Sequence, residues 1–300
     1  MSAITSPAPD AAPRFDLRIT RRKLTGTIFV AACMIAIGIL LIAMIALLVD
    51  VFTKGVPWLD IGFLTGVPSR RAASAGILPA LVGSLEIALL TGLISFPVGV
   101  GAAIYLEEYA RDTFVTRTLR TNIANLAGVP SIIYGIFGLA IFVRAMGMGK
   151  TPLAAALTLA LLIMPIVIIA TIEALKAVPD SQREGAYALG ATRWQTVRGS
   201  VLPAAAPGIV TGVILAIARA IGEAAPLIVI GASSFLVFLP TPLQQNFTVL
   251  PIQVYQWASR PQADFQGIAA ATIIVMLVLT AVLNVLAIML RTRLARNIQW

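Results

Sequence analysis

Val178-Pro-Asp-Ser-Gln-Arg-Glu184-Gly-Ala-Tyr-Ala-Leu-Gly190-Ala-Thr-Arg-Trp-Gln-Thr-Val-Arg-Gly-Ser-Val-Leu202-Pro203 is a polar stretch set between two long apolar runs, Pro152 to Ala174 and Ala204 to Ala232. Ser181 and Glu184 have capping-box spacing and Pro179 lies just upstream, so a short helix is predicted to run to Gly190, a residue suited to end it. Thr192 suits the N-cap of a second short helix that ends near Pro203. The stretch therefore reads as a helix–Gly–helix elbow joining two membrane-length helices.

Working outward from the elbow, four more apolar runs reach the roughly 20 residues that a bilayer crossing needs. The six are about Thr27 to Val49, Ile77 to Leu106, Asn122 to Val143, Pro152 to Ala174, Ala204 to Ala232 and Gly267 to Leu290. The second and fifth are long for one crossing and contain Pro97, and Pro207 with Pro226, so tilt, a kink or a break is expected in each. Composition agrees with a polytopic chain. Of 300 residues 59% are hydrophobic and 12% charged, with mean hydropathy +0.93, whereas an ordinary soluble domain is about a quarter charged. The expected fold is an all-α membrane protein with six transmembrane helices. Residues 1–23 read as a tail, 24–50 as the first helix, and 76–292 as a five-span core carrying the 178–203 loop.

Charge distribution orients the spans. Arg14, Arg18, Arg21, Arg22 and Lys23, Arg111, Arg117 and Arg120, Lys176, Arg183, Arg193 and Arg198, and Arg291, Arg293 and Arg296 make 15 cations on one side. Lys54, Arg70, Arg71, Arg144, Lys150 and Arg260 make 6 on the other. Cations resist translocation, so both termini and the elbow are expected in the cytoplasm. The same rule explains the net charge of +9 without nucleic acid as a partner. Residues 1–13, rich in Ala, Pro and Ser, read as disordered, and the first apolar run as a retained helix rather than a cleaved signal. With no His and Cys33 alone in that run, disulfides, zinc sites and His acid–base chemistry are excluded, no metal or cofactor is expected in the chain, and Cys33 reads as packing.

The fifth span carries Arg219-Ala-Ile-Gly222-Glu223-Ala-Ala-Pro226. On a helix Arg219 and Glu223 are i, i+4 and share a face. Counted from an entry near Ala206 at about 1.5 Å per residue, Arg219 lies about 20 Å deep in a core of about 30 Å. Glu86, counted from the outer end of the second span, comes to about the same level, roughly 14 Å below its boundary. Ionisable groups at that depth mark a pathway or a buried pair. A guanidinium offers forked donors that match an oxyanion, and a neighbouring carboxylate tempers its hold so that the ion is released. A purely structural Arg–Glu pair fits the same residues.

Two resemblances go further. Glu184-Gly185-Ala186, then Gly190, then Leu202-Pro203 resembles the EAA loop of ABC-importer permeases, which docks on the ATPase subunit. Gly185 in place of the first Ala and Ser200 in place of a branched apolar residue depart from that pattern. On the residues alone, Glu184 caps its helix and Gly190 ends one. Arg219 to Leu227, with Val129-Pro-Ser131-Ile-Ile-Tyr134-Gly135-Ile-Phe-Gly138 of the third span, is similar to the A-type permease subunit of phosphate-specific ABC importers, over about Gly76 to the C-terminus. This implies the type I (MetI-like) permease fold in a bacterial cell membrane and a non-enzymatic transport subunit for inorganic phosphate. It implies partnership with a homologous C-type permease, two ATPases that bind the ATP, and an extracytoplasmic phosphate-binding protein. Arg219, Glu223, Glu86, Ser131 and Tyr134 would line the path. Glu184, Gly185, Ala186, Gly190, Leu202 and Pro203 would couple to the ATPase. Helix packing through small residues is the other reading of the third-span motif and of Gly208-x-x-x-Gly212.

Other spellings lack their context. Gly149-Lys150-Thr151 imitates a phosphate loop but has Arg144 where the first glycine belongs. Gly99-x-Gly101 lacks a third glycine, and Asn246-Phe-Thr248 is a sequon by spelling only. The segment 233–266, with Phe235 to Leu239 and Gln244, Gln245, Gln253, Gln256 and Trp257, reads as a membrane-dipping gate, a binding-protein dock or a plain capping loop. Rival functions are an ABC permease for sulfate or molybdate, and an ion-coupled secondary transporter using Glu86 and Glu223.

Overall fold

The computed structural model describes residues 17–232, 235–239, 241, 243 and 246–296. Its helices are α1 (Leu17–Gly55), α2 (Ile61–Thr65), α3 (Leu78–Ile104), α4 (Phe114–Leu126), α5 (Ser131–Gly138), α6 (Pro152–Lys176), α7 (Asp180–Ala188), α8 (Arg193–Thr196), α9 (Leu202–Ile221), α10 (Ala225–Ile230), α11 (Leu250–Ala258) and α12 (Ala263–Arg296). Among the described residues there is no strand. The all-α reading holds. Helices through Thr25–Trp58, Leu78–Tyr109, Pro152–Lys176, Arg193–Ile221 and Ala263–Arg293 are each long and apolar enough to cross a membrane, and a bent pair makes a sixth candidate span.

Residues 1–50 and 51–300 form two separate units. In the first, α1 begins at Leu17, inside the stretch read as a tail. A disordered tail therefore does not extend to residue 23; residues 1–16, with Arg14, lie outside the described residues, as do Gln244 and Gln245. In the second unit α6 is the central helix. Its most apolar window is 61% buried, against 28% in the windows of the second and fifth spans. Leu159, Ile163, Val167 and Leu175 of α6 meet Ile87 of α3, Ile209 and Val213 of α9 and Leu227 of α10 in one apolar core. Close approach depends on small residues. A Cβ on Gly208 or Gly212 would lie 2.8 or 2.6 Å from the Cβ atoms of Ala174 and Ala170, so this pair seats α9 against α6.

Prolines act where the chain can part. Pro97 lies inside α3 without ending it, and the break expected in the fifth span falls at Gly222–Ala224, between α9 and α10. The third span is not one helix. α4 and the helix over Ser131–Ala145 meet at 101°, because Pro130 has no N–H to give and keeps Val129 out of the helical region. The Tyr134 hydroxyl donates to the carbonyl of Leu126 at 2.8 Å and pins this bend.

The elbow differs from its expected form in two ways. The Ser181–Glu184 capping box does not form: α7 starts at Asp180 behind Pro179, with no side-chain cap. The box is instead Thr192 with Gln195. Thr192 N–H donates to Gln195 Oε1 at 2.8 Å, and Gln195 N–H donates to Thr192 Oγ1 at 3.4 Å. The second helix does not stop near Pro203. From Arg193 it continues through a π-helical segment, Val197–Val201, into α9 and on to Ile221. Pro203 lies just after the π-helical segment, inside this continuous run, and does not end it. Gly190, at φ +83°, ends the first elbow helix as expected.

Within 233–266, α11 packs inward, burying Leu250, Ile252, Gln253 and Trp257. Gln253 and Trp257 are core residues rather than an offered surface. At Gly149-Lys150-Thr151, Thr151 caps α6 by accepting from Ala154 N–H at 3.2 Å.

Candidate functional site

The break after Ile221 falls where Pro226, in the first turn of α10, has no N–H to give to the carbonyl of Gly222 and its ring crowds that carbonyl. Arg219 is in the last turn of α9 and Glu223 beyond it, so the two do not share one helix face as expected. The turn still brings them together, Arg219 Nε lying 3.9 Å from Glu223 Oε1. That contact is loose. The Arg219 side chain is 57% exposed, against 19% for Glu223, so the guanidinium has most of its donors available.

The third-span motif lies beside this break. A Cβ on Gly135 would lie 2.6 Å from Pro226 Cα, and one on Gly138 would lie 2.0 Å from Thr158 Oγ1. Both glycines are packing surfaces that bring α5 against α10 and α6. Ser131 opens α5. Tyr134 has its hydroxyl committed to Leu126, so it holds the bend first. It also borders, with Ile133, Phe137, Leu161 and Met164, an apolar cavity of about 430 Å³. Glu86 is not joined to this layer. Neither carboxylate oxygen has a hydrogen-bond partner among the described residues, although both are buried.

In the elbow, Glu184, Gly185 and Gly190 are exposed, Ala186 and Leu202 partly buried and Pro203 exposed. Reading the sequence missed its apolar edge. Leu189 is 90% exposed, Trp194 56% and Tyr187 44%, three large apolar side chains in a polar loop, and that contrast was the available signal. Also missed was the partner of the elbow's half-buried cation. Arg183 Nη2 donates to Glu108 Oε1 at 2.8 Å, with the Glu108 side chain 6% exposed. That bond, the largest cause, raises the guanidinium further above its already high pKa. Glu107-Glu108, a carboxylate pair at the end of the second span, was the signal. On the neighbouring surface Arg117 donates to Asp112 at 2.8 and 2.7 Å and holds that carboxyl below its ordinary range.

Residues 95–296 match the family model described as "Binding-protein-dependent transport system inner membrane component". The chain is 38% identical over 235 residues to the "Probable ABC transporter permease protein YqgI" of Bacillus subtilis, covering 77% of this chain and 74% of that one. It is 36% identical over 245 residues to the "Phosphate transport system permease protein PstA" of Yersinia pestis, covering 81% and 82%. A solved structure of inward-facing MetNI methionine ABC transporter matches at TM-score 0.57 and 21% identity, over 75% of this chain and 96% of that one. At that identity the likeness is one of fold.

Proposed function

This chain belongs to the binding-protein-dependent transport system inner membrane components, and from that premise we propose that it is the permease subunit through which an ATP-driven importer passes inorganic phosphate into the cytoplasm. The observation that carries the anion reading is the exposed, loosely held guanidinium of Arg219 at the helix break, 3.9 Å from Glu223. Phosphate in particular is supported by likeness to relatives named as phosphate transport permeases.

The chain carries out no chemistry of its own, and ATP is bound by two partner ATPases. The elbow faces the cytoplasm with both termini, as the excess of Lys and Arg on that side favours, in the inner membrane of a bacterial cell. Leu189, Trp194 and Tyr187 supply apolar surface that an ATPase groove would remove from water. From Trp194 a single helix runs to Ile221. At 1.5 Å per residue it carries a push at the elbow about 38 Å to Arg219. A homologous C-type permease completes the pore and an extracytoplasmic phosphate-binding protein delivers the ion. Glu223 keeps the Arg219 site weak enough for release. Ser131 is a secondary member of the same path, while Tyr134 acts through the bend it pins and Glu86 stands apart from the Arg219 layer.

The test is co-purification of the tagged chain, identification of its bound subunits by mass, and uptake of phosphate and sulfate by the reconstituted complex. Phosphate uptake that needs ATP and is not competed by sulfate supports the proposal. Sulfate uptake at the same rate overturns the substrate, and the absence of an ATPase from the purified complex overturns the machine.

A further inference from the structure

The elbow helix α7 buries none of its residues, so packing does not hold it to the membrane helices. Polar side chains do that instead: Ser200 Oγ donates to Gln182 Oε1 at 3.4 Å, and Arg183 supplies the tie to α3 and α6. Arg183 Nη2 donates to Glu108 Oε1 at 2.8 Å and to the carbonyl of Leu175, in the last turns of α6, at 2.9 Å. Its Nη1 donates to the carbonyl of Val178 at 2.8 Å and to Asp180 at 3.1 Å. Glu108 lies 75 residues away in sequence, in the π-helical segment Tyr105–Tyr109 that continues α3. The same five residues gather two more ties. Arg120 of α4 donates to Glu107 Oε2 at 2.9 Å and also to the carbonyl of Leu106. Arg193 of α8 donates to the carbonyl of Tyr109 at 3.4 Å, with its guanidinium carbon 5.5 Å from the centre of that ring.

Through the covalent chain the elbow connects only to α6 and α9. The end of α3 is reached by polar side chains that border an open cavity of about 530 Å³, lined by Glu107, Glu108, Lys176, Asp180, Arg183 and Tyr187 among others. An ion pair that is 17% and 6% exposed is shielded from water and has directional geometry, so it transmits displacement where loose surface pairs do not. π-helical turns are frequent at functional sites in helices.

We propose that the Arg183–Glu108 pair is a latch that makes α3 follow the elbow, with Arg183 and Glu108 as positioning residues for transport. This rests on the ATP-driven reading above. α3 is then a second lever beside α9, and it reaches Glu86 about 33 Å from the latch along the same helix.

The test uses the whole complex in proteoliposomes and reads phosphate moved per ATP hydrolysed, a ratio independent of how much complex assembles. Glu108→Gln keeps size and an acceptor but loses the charge, and the ratio should fall at least about fivefold, the lower range of energetic coupling between sites. Arg183→Lys keeps the charge without the fork and should fall less. A purely structural pair would lower yield, or ATPase and transport together, and leave the ratio at the wild-type value; that outcome overturns the latch. A second measurement needs neither variant. With Cys33→Ala, spin labels at the exposed positions Tyr105 and Ser181 should keep one separation with and without ATP, and a separation that changes overturns the proposal. If the wild-type complex shows no ATP-driven uptake, the functional reading itself fails, and the latch with it.

Discussion

Arg219 is one cation on the last turn of a helix, where the carbonyl ends of the helix favour positive charge, and its value as an anion contact depends on what is not bonded to it. The 3.9 Å approach of Glu223 leaves the fork open. Arg219→Gln should lower phosphate uptake at least about a hundredfold, about 3 kcal/mol, the loss expected for a charge-assisted contact, while the complex still purifies intact. Glu223→Gln should act in the other direction on binding. With the tempering charge gone the ion is held longer, so both KM and the maximal rate of uptake should fall, as initial-rate kinetics would show. The sequence made Arg219 and Glu223 legible as neighbours even though the helix ends between them, because a turn of Gly222 and Glu223 covers about the same distance as a helical turn. For Glu86 the sequence offers only an expected height. Counting residues along a helix gives depth, whereas rotation about its axis is decided by packing, and packing leaves the Glu86 carboxylate without a partner among the described residues.

Among the elements, the bent third span and the elbow show where local rules conflict. A window of apolar residues averages over Gly128-Val129-Pro130 and reads one helix. The ring of Pro130 decides otherwise, and the 101° bend results. Tyr134→Phe removes one hydrogen bond from this bend and should cost about 1 kcal/mol, seen as a lower Tm in detergent with the phosphate-to-sulfate preference unchanged. In the elbow, two sites have capping-box spacing and only Thr192–Gln195 forms one. Asp180 starts the helix one residue before Ser181, which leaves Ser181 inside it with no N-cap role. Gly190 was read correctly because a left-handed residue after a helix is a strong local preference. Its φ of +83° with open space around it means that Gly190→Ala is penalised by backbone conformation alone, by about 1 kcal/mol. The expected readout is weaker retention of the ATPase in pull-down, with a fall in Tm no larger than that of Tyr134→Phe. The Arg183–Glu108 tie was not legible at this scale, since residues 75 apart meet only once the helices are assembled.

At the scale of the molecule, composition and the length of apolar runs sufficed for an all-helical membrane protein, and two short motifs sufficed for its family. A central α6, flanked by α3 and α9, places the elbow at one end of three helices and the Arg219 break far along one of them. The measurement that bears most directly on this arrangement is solute uptake by proteoliposomes holding the chain with its co-purified subunits, driven either by ATP or by an ion gradient. Phosphate entry that requires ATP, stops with Arg219→Gln and is indifferent to the ion gradient is the expected result. Uptake driven by an ion gradient in vesicles holding this chain without an ATPase would contradict it.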